Sequence, residues 1–116
     1  MELADCYLED GRLYGIGPER KGRAALSEYG IKRAGMTGRT SRHVSANLRL
    51  APHEDGRIKG HLVITLFSYD GEGLGLADPC AVADAHDIYA KDHDGNWKIA
   101  ERRLELIFES ESHKNR

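Results

Sequence analysis

The 116-residue chain reads as an α+β domain in which short helical segments precede a curled antiparallel sheet. Three observations predict this. Helical spacing of apolar residues is confined to the first third of the chain, while four long strand-like runs fill the rest. Glycine- and proline-rich breaks separate those runs, and Asp94-Gly95, a strong hairpin dipeptide with apolar runs on both sides, joins the last two.

Taken in order, Glu2 to Leu8 carries Leu3, Ala4, Tyr7 and Leu8 at helical spacing and reads as the end of a helix, stopped by Glu9-Asp10-Gly11. Arg12 to Ile16 reads as a short strand, broken by Gly15-Ile-Gly-Pro18. From Gly22 to Ala34 the pattern is helical, with Ala25, Leu26 and Tyr29 on one stripe. Gly30 weakens that helix by about 1 kcal/mol relative to alanine. After the Gly35–Gly38 linker come Thr40 to Ala51, Arg57 to Tyr69, Cys80 to Lys91 and Asn96 to Glu109, all strands. Pro52–Gly56 turns the chain between the first two, and Asp70–Pro79 is a loop. Residues 1–110 form one domain, and 111–116, lacking an apolar anchor, a flexible tail. Strands this long twist and curl, leaving a concave face that helices cover only in part. A half-covered concave face is a pocket.

Composition narrows the function. A formal net charge of -2 argues against a protein that tracks nucleic-acid phosphates. No apolar run approaches the roughly 20 residues of a membrane-spanning helix, and Met1-Glu-Leu-Ala-Asp-Cys6 lacks the pattern of a secretory signal. The expected location is cytoplasmic. Cys6 and Cys80 give no disulfide framework and no Cys-x-x-Cys motif, so both read as reduced thiols. The six histidines include no His-x-His, His-x-x-x-His or His-Glu-x-x-His spacing, and the glycines form no phosphate-cradling loop. Neither a metal nor a cofactor is expected.

Three stretches resemble the nuclear transport factor 2-like superfamily, closest to its SnoaL-like domains and to the small subunits of aromatic-ring-hydroxylating dioxygenases. They are Tyr7-Leu-Glu-Asp-Gly-Arg-Leu-Tyr14 with Lys21-Gly-Arg-Ala-Ala-Leu26, then Ser41-Arg-His-Val-Ser-Ala-Asn-Leu-Arg49, then Asp94-Gly-Asn-Trp-Lys-Ile-Ala-Glu-Arg102. The resemblance implies a cone-shaped fold, the sheet partly wrapped around helices, with the opening helices shortened here. The family's N-terminal pocket acid therefore has no counterpart to carry over. The metal centres of dioxygenases belong to their large subunit, so resemblance to the small one implies no cofactor.

His43 is the leading catalytic candidate. Strand alternation places His43, Ser45, Asn47 and Arg49 on one face and Val44, Ala46, Leu48 and Leu50 on the other. In SnoaL-like dehydratases a histidine at the corresponding strand position lies in the cavity, and an imidazole suits proton transfer at neutral pH. The alternative is a solvated or subunit-facing polar strip. Asp84 and His86 share a face with Val82 and Ile88, where a carboxylate can orient an imidazole; the alternative is again a half-exposed polar strip. Asp87 lies on the opposite face, where the resemblance implies a structural role, pairing with Arg102 or Arg103 across the hairpin. Asn47, Tyr14 and Tyr29 complete the expected ligand-binding set.

Two classes of function follow. One is a cofactor-independent dehydratase, isomerase or cyclase acting on a small apolar or polycyclic molecule; the other is a non-catalytic ligand-binding or scaffold subunit. The run Leu62-Val-Ile-Thr-Leu-Phe67 is apolar on both faces, which predicts a homodimer with sheets back to back. No membrane or nucleic-acid partner is expected.

Overall fold

A computed structural model describes residues 2–75 and 77–114. The elements are β1 (Tyr7–Tyr14), β2 (Arg20–Lys21), α1 (Arg23–Ala34), β3 (Arg39–Pro52), β4 (Ile58–Asp70), β5 (Ala81–Lys91), β6 (Trp97–Glu109) and α2 (Glu111–Lys114). They form a single curled sheet in the order β2-β1-β6-β5-β4-β3, so β3 is an edge strand.

The helix expected over Glu2–Leu8 is instead one 3-10 turn, Leu3–Cys6, and extended chain begins at Tyr7. The reason is tertiary. Tyr7 and Leu13 are buried against α1, while Tyr7 pairs with Ile99, and Arg12 to Tyr14 pair with Glu101 to Arg103, in a parallel ladder. Sheet pairing and burial outweigh a short helical pattern. Glu9-Asp10-Gly11 lies inside this strand, at a register shift, rather than ending a helix.

Helix α1 runs to Ala34 despite Gly30. A Cβ at Gly30 would lie 3.3 Å from Leu3 Cβ, so the glycine admits the 3-10 turn close against the helix. Leu26 is 0% exposed and packs with Ala4, Tyr7 and Leu13, flanked by Leu3, Tyr29, Ile99 and Leu104. Arg23 ties the helix down: Nη2 donates to Asp5 Oδ1 at 2.6 Å and Nη1 to Ala4 O at 3.2 Å.

The β5–β6 hairpin turns at Asp92–Asn96. Asp92 Oδ1 accepts from the amides of Asp94 and Asn96, both at 2.9 Å, and these amides hold the Asp92 carboxyl below its usual range. Gly95 supplies the positive φ of 82° that the turn requires.

The alternation expected along β3 breaks at a bulge. Ala46 opposes Val63 but Arg49 opposes His61, three steps on β3 against two on β4. Asn47 takes the left-handed conformation there, with φ 56°, which asparagine tolerates better than most residues. His43 and Ser45 consequently share the helix-facing side with Leu50. Arg49 moves to the outer side with Val44 and Ala46, away from the face shared with His43.

Candidate functional site

The sheet presents two chemically different sides, and the cross-strand register assigns each candidate to one. On the helix-facing side the rows run His43–Leu66–Ala81–Glu109 and Ser45–Ile64–Ala83–Leu106, then Leu62–Ala85–Leu104, then Leu50–Gly60–Asp87–Arg102–Leu13. Helix α1 covers the Leu13 end, leaving the His43 end open, where Leu106 is 40% exposed. A groove of about 390 Å³ lies there, lined by Arg33 near the end of α1 and by Arg39, Ser41, Leu66, Ser68, Glu109 and His113, of which only Leu66 is apolar. His43 is exposed and does not itself line the groove; it stands on the same face, directly opposite Leu66, which does. Partial burial, followed by the Arg33 guanidinium, lowers the His43 pKa below its ordinary value.

Deeper on this side lies the cross-hairpin charge pair that the resemblance implied. Arg102 Nε donates to Asp87 Oδ1 at 2.8 Å and Nη2 to Oδ2 at 2.7 Å, while Tyr89 Oη donates to Oδ2 at 2.7 Å. Burial alone would lower the Arg102 pKa, but the Asp87 carboxylate more than reverses this. Burial pushes both Tyr7 and Tyr89 up to about 12, helped at Tyr89 by the same carboxylate. Both carboxylate oxygens of Asp87 are thus engaged, and the cluster ties β5 to β6. It is structural.

The outer side carries Asp84 and His86, so the sheet itself separates them from His43. They are also not each other's partner. His86 Nε2 lies 3.2 Å from Glu105 Oε1, while Asp84 Oδ2 lies 3.6 Å from His61 Nε2. His61 is directly opposite His86, and their rings stack with centroids 4.9 Å apart and planes 8° apart. The whole row reads Arg49–His61–His86–Arg103–Tyr14 across five strands. A second groove of about 390 Å³ runs along it, lined by Tyr14, Arg49, Lys59, His61, His86 and Arg103 among others. Linear spacing could not reveal His61 as part of a cluster; its register opposite His86 is a property of the folded hairpin.

The remaining candidates scatter. Asn47 sits exposed in the β3 bulge. The Tyr14 ring lies on the outer side under the Arg12 guanidinium, 3.6 Å from its centroid. Tyr29, on α1, lies between Arg20, 4.0 Å above its ring, and Arg33, whose Nη1 donates to its hydroxyl at 3.2 Å. Cys80 is buried, its Sγ donating to Ser68 O at 3.4 Å, and Cys6 is exposed.

Neither a family model nor a curated protein matches the sequence. Solved structures do. ActVI-ORFA from Streptomyces coelicolor matches with a TM-score of 0.74 at 18% identity, over 90% of this chain and 79% of its own. A putative scytalone dehydratase from Novosphingobium aromaticivorans matches at 0.74 and 18% identity, over 93% and 70%. A function-unknown protein from Mycobacterium tuberculosis matches at 0.70 and 28% identity, over 90% of this chain and 57% of its own. Others are described as cystatin-like or nuclear transport factor 2-like. The chain has the nuclear transport factor 2-like fold. In this fold the half-open, helix-facing side of the curled sheet is where the His43 groove lies, whereas the His61–His86 row lies on the sheet's back. No helix among the described residues is long and apolar enough to cross a membrane.

Proposed function

We propose that this nuclear transport factor 2-like domain is a SnoaL-like pocket protein. It binds a small apolar or polycyclic molecule on the helix-facing side of the sheet, with His43 as its acid/base group. The carrying observation is the juxtaposition at the open end of that side. Ile64, Leu66, Ala83 and Leu106 form an apolar floor, and His43 stands at its rim beside Arg33. The lowered pKa keeps the imidazole neutral at pH 7, ready to accept a proton from a ligand C–H or O–H. In cofactor-independent dehydration or isomerisation such a base takes the proton and, as imidazolium, returns it to the leaving hydroxyl or to a second carbon of the ligand. The putative scytalone dehydratase among the structural neighbours supports the reading.

A specific observation favours a second reading, a non-catalytic ligand-binding or scaffold subunit. Among the described residues the imidazole–carboxylate pairs involve His61, His86, His93 and His113, and not His43. A histidine with no orienting carboxylate suits binding as well as catalysis.

One experiment divides the two. In NMR titrations of the intact chain, the His43 ring titrates with a midpoint below about 6.5. Arg33→Ala raises it by the smaller part of the shift, since burial is the larger cause. Between the two pKa values the unfolded chain binds more protons than the native one, so stability rises with pH there. The contribution is complete above the unfolded value and lost as pH falls through the folded one. Adding polycyclic phenols and ketones shifts Ile64, Leu66 and Leu106 resonances. Shifts confined to the outer face would overturn the pocket reading. Unchanged turnover in His43→Ala would leave binding and remove catalysis.

A further inference from the structure

We infer that His61, Asp84 and His86 form a binding site for a divalent transition-metal ion of the zinc class on the outer face of the sheet. The site is distinct from the His43 groove, which the sheet places on its other side. Three observations carry it. The donor atoms of these residues all lie within 4.8 Å of one another. They stand on the central strands β4 and β5, where register fixes the backbone: His61 opposes His86, and Val63 opposes Asp84. Finally, His61 Nε2 is shielded from solvent with no hydrogen-bond partner among the described residues, although Asp84 Oδ2 is 3.6 Å away. A buried ring nitrogen without a partner is unusual in a native protein. A metal ion between it and the carboxylate would satisfy both.

Donor chemistry selects the ion. Two imidazoles and a carboxylate suit Zn²⁺, Co²⁺ or Ni²⁺, whereas Ca²⁺ and Mg²⁺ want all-oxygen sites and Cu⁺ wants sulfur. Tetrahedral zinc holds its nitrogen and oxygen donors about 3.3 Å apart, so the side chains need to close by about an ångström or more. Glu105, whose Oε1 is 3.2 Å from His86 Nε2, is a further carboxylate beside the cluster but outside the mutually close set. The surrounding charges are balanced. Arg49 and Arg103 flank the two histidines in their own row, and Asp84 and Glu105 occupy the next. Arginine heads sit on long stems and can swing outward, while the shorter imidazoles and carboxylates stay over the sheet.

The test uses the full chain stripped with EDTA and titrated with Zn²⁺ and, separately, Co²⁺. The expected result is one ion per chain, with Co²⁺ giving the visible bands of a low-coordinate site that Zn²⁺ abolishes by displacement. His61→Ala and the isosteric Asp84→Asn each weaken binding by about tenfold or more, with circular dichroism unchanged for Asp84→Asn, while His53→Ala and His93→Ala bind as the parent does. No stoichiometric uptake by the parent would overturn the inference. So would affinity retained in a folded Asp84→Asn, or lost in His53→Ala or His93→Ala, which would mark adventitious surface-histidine binding.

Discussion

Asp87 is 1% exposed, the one charged side chain that the fold takes fully out of water among the described residues. A cross-strand ion pair read from sequence is worth about 0.2–1 kcal/mol when exposed. Burial changes the balance, because removing one partner strands the other's charge in a dry environment. Asp87→Ala leaves the bidentate Arg102 guanidinium and the Tyr89 hydroxyl without their acceptor. The expected loss is about 3–5 kcal/mol, read as a lowered midpoint in denaturant melts. A loss under about 1 kcal/mol would mean that the pair is hydrated in solution. Arg12, paired on the surface with Glu19, is the contrast: both partners are substantially exposed, and screening leaves such a pair worth little.

Among the elements, β3 decides which side chains can meet. Its bulge moves Arg49 to the back of the sheet and leaves His43 in front. The geometry depends on Asn47 holding a positive φ of 56°. Asn47→Val penalises that conformation, since a β-branched residue is poorly tolerated there, and is expected to cost about 1–2 kcal/mol. Asn47→Gly is expected to be nearly neutral; thermal melts of the pair check this, and equal losses would count against a bulge. The four long strands and α1 were legible because their apolar runs are bounded by Gly35–Gly38, Pro52–Gly56, Asp70–Pro79 and Asp94-Gly95. The bulge was not, since it inserts one residue into a strand without any break in composition. Nor was the start of β1. Tyr7 is placed by its partner Ile99 at the far end of the chain, and no local pattern reports that. The candidate residues were recognisable singly; which face each occupies emerged only from the register.

For the whole molecule, the single sheet is thin. The radius of gyration is 15.3 Å, where a compact domain of this length has about 13.4 Å. Accessible surface is 8073 Å², more than a quarter above the about 6,300 Å² typical of a 12.9 kDa monomer. That excess is larger than the roughly 800 Å² which each partner of a standard interface buries. The outer side contributes an apolar patch, where Val44 is 50% and Phe108 67% exposed beside Val63, Phe67 and Val82. We propose that a second copy covers this patch, with the two sheets back to back. Light scattering at micromolar concentration is expected to give twice the chain mass, and Val44→Asp with Phe108→Asp to give the chain mass. A clean monomer from the parent chain would rule out this dimer.

The parallel pairing of β1 with β6 also sets an order of events in folding. Lys98 Nζ donates to Asp5 O across 93 residues of sequence, and Tyr7 lies beside Ile99. The N-terminal turn, β1 and α1 therefore have no sheet to dock on until the last strand has been synthesised. During translation the first third of the chain emerges without its packing surface, and the Leu26 cluster closes only after β6 is in place. The earliest residues of the domain are thus among the last to be secured, after the β3–β4 and β4–β5 pairings, which need nothing from β6.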